Sequence, residues 1–153
     1  MSMFLVGCGG QKEKATDIIK IGVMAPLTGD LAQYGTPAKD GLQLKVDEIN
    51  AAGGINGKKI ELIIEDNKGD VNESVSIFKK FKGQDKVDLI VGPIISSTSN
   101  AVAPLAQQGK VVMITPTGTN IDITKGRDFV FRTTFTDPYQ GVAAAKYAQK
   151  KRI

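Results

Sequence analysis

Histidine is missing from this 153-residue chain, tryptophan is missing, and the only cysteine is Cys8. Each absence excludes chemistry. Without histidine there is no Ser-His-Asp triad, no Cys-His pair and no His-ligated zinc. One cysteine makes no intramolecular disulfide and no Cys-rich metal centre. Six Phe and three Tyr are the only aromatic residues, too sparse for a platform on which nucleic-acid bases stack. No run of about 18 apolar residues occurs, the length a membrane-spanning helix needs.

The rest of the composition is that of a folded domain. Hydrophobic residues make up 41% and charged residues 24%, proportions that argue against disorder. A chain of this size buries roughly two-thirds of its unfolded surface, so its core needs no covalent staple. The net charge is +4, but the lysines are spread along the chain. Spread charge is a solvated surface rather than a nucleic-acid footprint, and no nucleic-acid partner is expected.

The opening segment reads differently from the body. Leu5-Val6-Gly7-Cys8 has the apolar-small-cysteine order of a bacterial lipobox, and polar residues 11–17 follow as a tether. A diacylated Cys8 would hold a soluble domain at a membrane surface through its buried methylenes. The stub before Cys8 is shorter than a complete export signal, so residues 1–17 are expected to be a signal-peptide remnant. The plain alternative is an accidental cysteine among glycines.

From residue 18 onward, strand-like and helix-like stretches alternate. Strands are expected at 17–25, 59–65, 87–91, 111–114 and 129–132, each rich in β-branched residues. Helices are expected at 34–50, 72–81, 97–108 and 137–150. The first would pack through Ala38, Leu42, Val46 and Ile49, the second through Val75, Ile77, Phe78 and Phe81, and the third through Ala101, Val102 and Leu105. Gly53-Gly54 closes the first helix, Asn56-Gly57 signals a tight turn, and Asp137 with Gln140 suggests a capping box on the last helix. This order predicts an α/β fold, a Rossmann-like parallel sheet with helices on both faces, and one domain over residues 18–153.

In such a sheet, ligands bind beyond the carboxyl ends of the strands. Three polar loops fall there. Residues 26–35 carry Tyr34, an amphipathic wall for a pocket or simply a half-buried surface tyrosine. Residues 92–99 place Ser96, Ser97, Thr98 and Ser99 in a row where a helix starts. Free N–H groups, the helix dipole and hydroxyls suit a small anion such as a carboxylate, although serine also caps helices routinely. Residues 115–120 offer Thr117, Gly118 and Thr119, with Gly118 allowing a ligand to approach the backbone, or forming a plain turn. No Gly-x-Gly-x-x-Gly, no Gly-Lys-Ser/Thr loop and no nucleophile–base pair is present, which disfavours an enzyme and any cofactor. Asp66 and Asp70 flank Asn67 but make no complete calcium loop.

Several of these stretches, in order, resemble the Leu/Ile/Val-type substrate-binding proteins of branched-chain amino acid ABC transporters, the type I periplasmic binding proteins. They are Ile21-Gly22-Val23 to Leu27-Thr28-Gly29, Ala32-Gln33-Tyr34-Gly35, Asp47-Glu48-Ile49-Asn50 and Gly53-Gly54-Ile55-Asn56-Gly57. Further along come Ile64-Glu65-Asp66-Asn67, Val91-Gly92-Pro93, Ser96-Ser97-Thr98, Thr115-Pro116 with Gly118-Thr119-Asn120, and Asp137 with Gln140-Gly141. The resemblance implies part of lobe 1 of a two-lobed ligand trap that delivers its cargo to ABC permease subunits outside the cytoplasm. It implies that Ser96 and Thr119 hold an amino acid's carboxylate and that the carbonyl of Thr117 accepts from its ammonium. It further implies that Tyr34 lines the pocket and Ile94 lies near the ligand side chain. The cysteine pair of some members is missing, with Gly69 and Ile95 near those places.

Members of the family are much longer, and the second lobe would begin just past Ile153. Half a cleft is expected to bind weakly, because closure of two lobes buries most of a ligand. An incomplete lobe would also leave a sheet edge or an apolar face open to self-association. Three other readings stay open: a fragment that binds nothing, a receptor for short amides or urea, and a small α/β enzyme using the same loops.

Overall fold

A computed structural model describes residues 18–151. Cys8 and the proposed tether lie outside the described residues. Five strands form one sheet: β1 (Ile19–Ala25), β2 (Ile60–Asp66), β3 (Leu89–Val91), β4 (Val112–Thr115) and β5 (Val130–Arg132). Their spatial order is β2-β1-β3-β4-β5, and every pairing is parallel. Four α-helices connect or follow them: α1 (Ala32–Ala51), α2 (Val71–Lys80), α3 (Ser96–Gly109) and α4 (Asp137–Lys151).

Strand alternation distributes the core. Successive side chains of a strand point to opposite faces, so Ile21 and Val23 of β1 go one way and Met24 the other. Ile21 and Val23 pack with Ile60 of β2 against Val46, Leu42 and Ile49 of α1. Met24 packs with Ile90 and Met113 against Ile77 and Phe78 of α2 and Val102, Ala103 and Ala106 of α3. Side chains of this kind each contribute roughly 1.5–3 kcal/mol when fully buried. The expected faces of α1 and α2 are found through Leu42, Val46 and Ile49 and through Ile77, Phe78 and Phe81, while Ala38 and Val75 stand outside the two core clusters. That of α3 is found in part: Val102 is fully buried and Leu105 packs against the core, but Ala103 and Ala106 complete the buried face and Ala101 does not join it.

Local chemistry sets the element ends. Asp70 caps α2, its carboxylate accepting from the Glu73 N–H at 2.7 Å. Asn56 and Gly57 both have positive φ, 51° and 80°, as the tight turn between Ile55 and Lys58 requires. Beyond α2, residues Phe81–Asp85 form one π-helical turn that buries Phe81 completely. Gly22 makes room for that ring, since a Cβ there would lie 2.7 Å from Phe81 Cδ2.

Two expectations fail at the last helix. Asp137 is the first residue of α4 rather than its cap, and the Gln140 N–H goes to the Thr136 carbonyl, so there is no capping box. Helix α4 also buries no residue, so it covers neither face of the sheet. Tyr139, Val142 and Tyr147 stand exposed on it, near the exposed rings of Phe131 and Phe135 in sequence.

Crossover directions place the crevice. From β1 the chain leaves through α1 to β2 on one side, then crosses through α2 to β3 on the other side of β1. Two neighbouring strand ends therefore diverge, and the gap opens outside the carboxyl ends of β1 and β3. Gly92 makes this possible at the end of β3. Its φ is +109°, and a Cβ there would lie 2.1 Å from the Met24 carbonyl oxygen. Gly35 does the same for α1, where a Cβ would lie 1.8 Å from the Pro26 carbonyl oxygen.

Asp66, at the end of β2, fastens the first loop. One carboxylate oxygen accepts from the N–H groups of Leu27 and Lys68, both at 2.8 Å, and the other accepts from the Thr28 hydroxyl. Burial works to raise its pKa. The bonds from the Thr28 hydroxyl and from the N–H groups of Leu27, Lys68 and Thr28 together outweigh that, and the carboxyl is held below its ordinary value.

Two tests follow from this packing. Gly92→Ala combines backbone strain with a backbone clash and should cost at least about 2 kcal/mol in urea unfolding. Gly53→Ala has a similar φ of +105° but meets no atom within 4 Å, so it should cost only about 1–2 kcal/mol of strain. For Asp66, a lowered folded-state pKa means stability that is present above the ordinary carboxyl value, about 3.9, and lost as pH falls through the folded value. The protein should therefore be more stable than Asp66→Asn at pH 7, and the gap in urea midpoints should close on acidification. A gap independent of pH would show that the charge of Asp66 contributes nothing.

Candidate functional site

Three loops converge outside the strand ends. A hollow of about 360 Å³ is lined by Tyr34, Ile94, Ile95, Ser96 and Thr117. A second, apolar hollow of about 320 Å³ adjoins it on the α1 face, sharing Ile94 and Thr117 and reaching Val23, Leu42 and Val91. Four residues singled out from the sequence, Tyr34, Ile94, Ser96 and Thr117, thus meet around one space. Ser97, Gly118 and Thr119 are not among its lining residues.

Tyr34 lines the hollow from the first turn of α1, which starts at Ala32, two residues earlier than the sequence pattern suggests. The residue is 58% exposed, forming an open wall rather than a packed one. Ile94 is nearly buried and supplies the apolar floor.

The hydroxyl row on α3 splits into two pairs. The Thr98 hydroxyl donates to the Ile95 carbonyl at 2.9 Å, and the Ser99 hydroxyl to the Pro93 carbonyl at 2.7 Å. Both of these side chains are buried and act within the fold. The hydroxyls of Ser96 and Ser97 have no protein partner among the described residues. The helix N-terminus is also uncapped: Ile95 occupies the cap position and makes no side-chain cap bond. The first-turn N–H groups of α3 therefore remain available beside Ser96, together with the positive end of the helix dipole.

Beneath the two loops lies a buried polar joint. The hydroxyls of Ser99 and Thr115 both donate to the Pro93 carbonyl at 2.7 Å and sit 3.3 Å apart. Thr115 Oγ1 also accepts from the Gly118 N–H at 3.1 Å. Above this joint, the Thr117 hydroxyl donates to the Ile94 carbonyl at 2.5 Å. The loops after β3 and β4 are thus tied to each other. Sequence reasoning missed Ser99 and Thr115 as the fasteners. Their hydroxyls look like neighbouring binding hydroxyls until the sheet brings positions 16 apart into contact.

Gly118 is part of this joint. Its N–H is already engaged by Thr115, and a Cβ there would lie 2.7 Å from both Ile123 Cδ1 and Thr115 Oγ1. What the glycine accommodates is the protein's own packing. Thr119 is tied on its carbonyl side, which accepts from the Asp137 N–H at 3.1 Å. Asp66 and Asp70 are each engaged in loop and cap bonds, and among the described residues no group of three potential metal ligands occurs.

The chain resembles proteins whose names and structures are known. It is 43% identical over 133 residues to the Leu/Ile/Val-binding protein BraC3 of Rhizobium johnstonii, covering 86% of this chain and 36% of that protein. It is 36% identical over 138 residues to the leucine-, isoleucine-, valine-, threonine- and alanine-binding protein of Pseudomonas aeruginosa, covering 90% of this chain and 37% of that one. The substrate-binding protein LivJ from Streptococcus pneumoniae, solved in complex with isoleucine, superposes with a TM-score of 0.84 at 42% identity, covering 88% of this chain and 39% of that one. The chain therefore spans little more than a third of the length of these relatives. The family model for periplasmic binding proteins matches residues 18–153, and with the parallel sheet and strand-end crevice just described, this chain belongs to the periplasmic binding protein family.

Proposed function

We propose that this chain carries the first-lobe part of the solute-gripping surface of a branched-chain amino acid receptor serving an ABC importer. The observation that carries the reading is the meeting of Ser96, Thr117, Ile94 and Tyr34 around one hollow, beside the uncapped N-terminus of α3. Charge and shape divide the work. A carboxylate accepts from the Ser96 hydroxyl, the first-turn N–H groups of α3 and the Thr119 N–H. The ligand ammonium donates to the Thr117 carbonyl, which has no protein partner among the described residues. An aliphatic side chain lies on Ile94 with Tyr34 as its wall.

Nothing in this arrangement needs turnover. The groups are donors, an acceptor and apolar walls, suited to holding a zwitterion and releasing it unchanged. The named relatives support the choice of cargo, since LivJ was solved with isoleucine and BraC3 is named for leucine, isoleucine and valine. On this reading the receptor works outside the cytoplasm, tethered through a lipid on Cys8. A second lobe closing over the hollow then delivers the ligand to permease subunits.

Titration calorimetry with leucine, isoleucine and valine tests the proposal. Ser96→Ala removes a hydrogen bond to a charged group and should weaken binding by about tenfold or more, in line with the 1.5–3 kcal/mol such bonds are worth. Ser97→Ala, outside the hollow, should change affinity less than about twofold. A chain that binds none of the three amino acids, or a Ser96→Ala variant that binds them unchanged, would overturn the assignment.

A further inference from the structure

Arg132 ends β5 beneath the loop that follows β4. Its Nη1 donates to the carbonyls of Gly118 at 3.1 Å and Asn120 at 2.7 Å, and its Nη2 donates to the Thr124 hydroxyl at 2.6 Å. The side chain is partly buried. None of its partners is a carboxylate, so a full positive charge is set against peptide dipoles. Such charge-assisted bonds are shorter and stronger than neutral ones.

The consequence lies on the other side of each peptide. In a trans peptide the C=O and the following N–H point in opposite directions. A Gly118 carbonyl turned toward Arg132 therefore turns the Thr119 N–H away from it. Neighbouring groups are tied as well. The carbonyls of Thr115 and Pro116 accept from the Thr133 N–H at 3.3 Å and hydroxyl at 3.4 Å, and the Thr119 carbonyl accepts from the Asp137 N–H at 3.1 Å. The Gly118 N–H goes to Thr115 at 3.1 Å. In the two peptide units that join Thr117 to Thr119, this leaves the Thr117 carbonyl and the Thr119 N–H without a protein partner among the described residues. They are one acceptor and one donor, as an amino acid's ammonium and carboxylate need.

We propose that Arg132 is a positioning residue for carboxylate recognition: its guanidinium clamps the Gly118 and Asn120 carbonyls and so holds and polarises the Thr119 N–H for the ligand. The inference rests on the binding mode proposed above, but Arg132 touches no ligand in it. Lysine cannot replace the clamp fully, because an ammonium is a point charge without the planar fork.

Arg132→Met and Arg132→Lys in the full chain test it, read in two ways. The first needs no ligand. In nitrogen-15 amide spectra, the Thr119 N–H should move upfield and exchange faster in Arg132→Met, with Arg132→Lys in between. A Thr119 amide unchanged in both variants overturns the proposal. The second compares isoleucine with isoleucinamide, which lacks the carboxylate. Arg132→Met should weaken isoleucine binding by about tenfold, the amide by less than about threefold, and Arg132→Lys should restore part of the loss. Equal losses for both ligands would mark Arg132 as merely structural and overturn the proposal. If the unsubstituted chain binds neither ligand, the binding mode fails, while the amide spectra still decide whether Arg132 orients Thr119. Should Arg132→Met not fold, Arg132→Lys alone carries both readings.

Discussion

The approach of Gly92 to the Met24 carbonyl is the contact on which the rest of this structure depends. It lets β3 lie beside β1 at the point where the two strands part company, one leading into α1 and the other toward α3. A side chain at position 92 would push the strand ends apart. With that contact made, the loops after β1, β3 and β4 face a common gap, and the ends of two helices open onto it. The crevice follows from strand order and one missing Cβ.

Around the gap, polar groups divide into those that build and those left over. Ser99, Thr115 and Arg132 are spent inside the fold, tying loop to loop and turning peptide carbonyls inward. Each satisfied carbonyl leaves an N–H pointing the other way. Ser96, the α3 first turn and the Thr119 N–H remain uncommitted because the buried hydroxyls and the guanidinium have taken the competing roles. A polar surface of this kind is preorganised: the binding proposed above would require little rearrangement, so less of the interaction energy would be lost to ordering.

Helix α4 is the exception to economical packing. It is joined to the sheet end through the bond from Asp137 to the Thr119 carbonyl, and it buries none of its residues. The same bond places the start of α4 against the loop that carries Thr119. Any shift of this helix relative to the sheet is therefore felt first at a group of the proposed carboxylate site.

Much of the architecture was legible in the order of residues. Periodicity marked five strands and four helices, because strand and helix patterns differ in period and glycine pairs punctuate them. The resemblance to Leu/Ile/Val-type receptors singled out Tyr34, Ile94, Ser96 and Thr117, and the fold lines one hollow with those four. What the sequence could not separate was which hydroxyls line the hollow and which brace the loops. Ser96 and Ser99 are chemically alike and three residues apart, yet one faces the hollow and the other is fully buried against Pro93. Nor does the chain announce that Gly118 packs on Thr115 and Ile123, or that Arg132 reaches back 12 and 14 residues to the carbonyls of Asn120 and Gly118. Local patterns fix the period of an element, since that depends on neighbours in sequence. Which polar group is satisfied internally depends on partners brought close only by the parallel sheet, and that was decided by the tertiary structure alone.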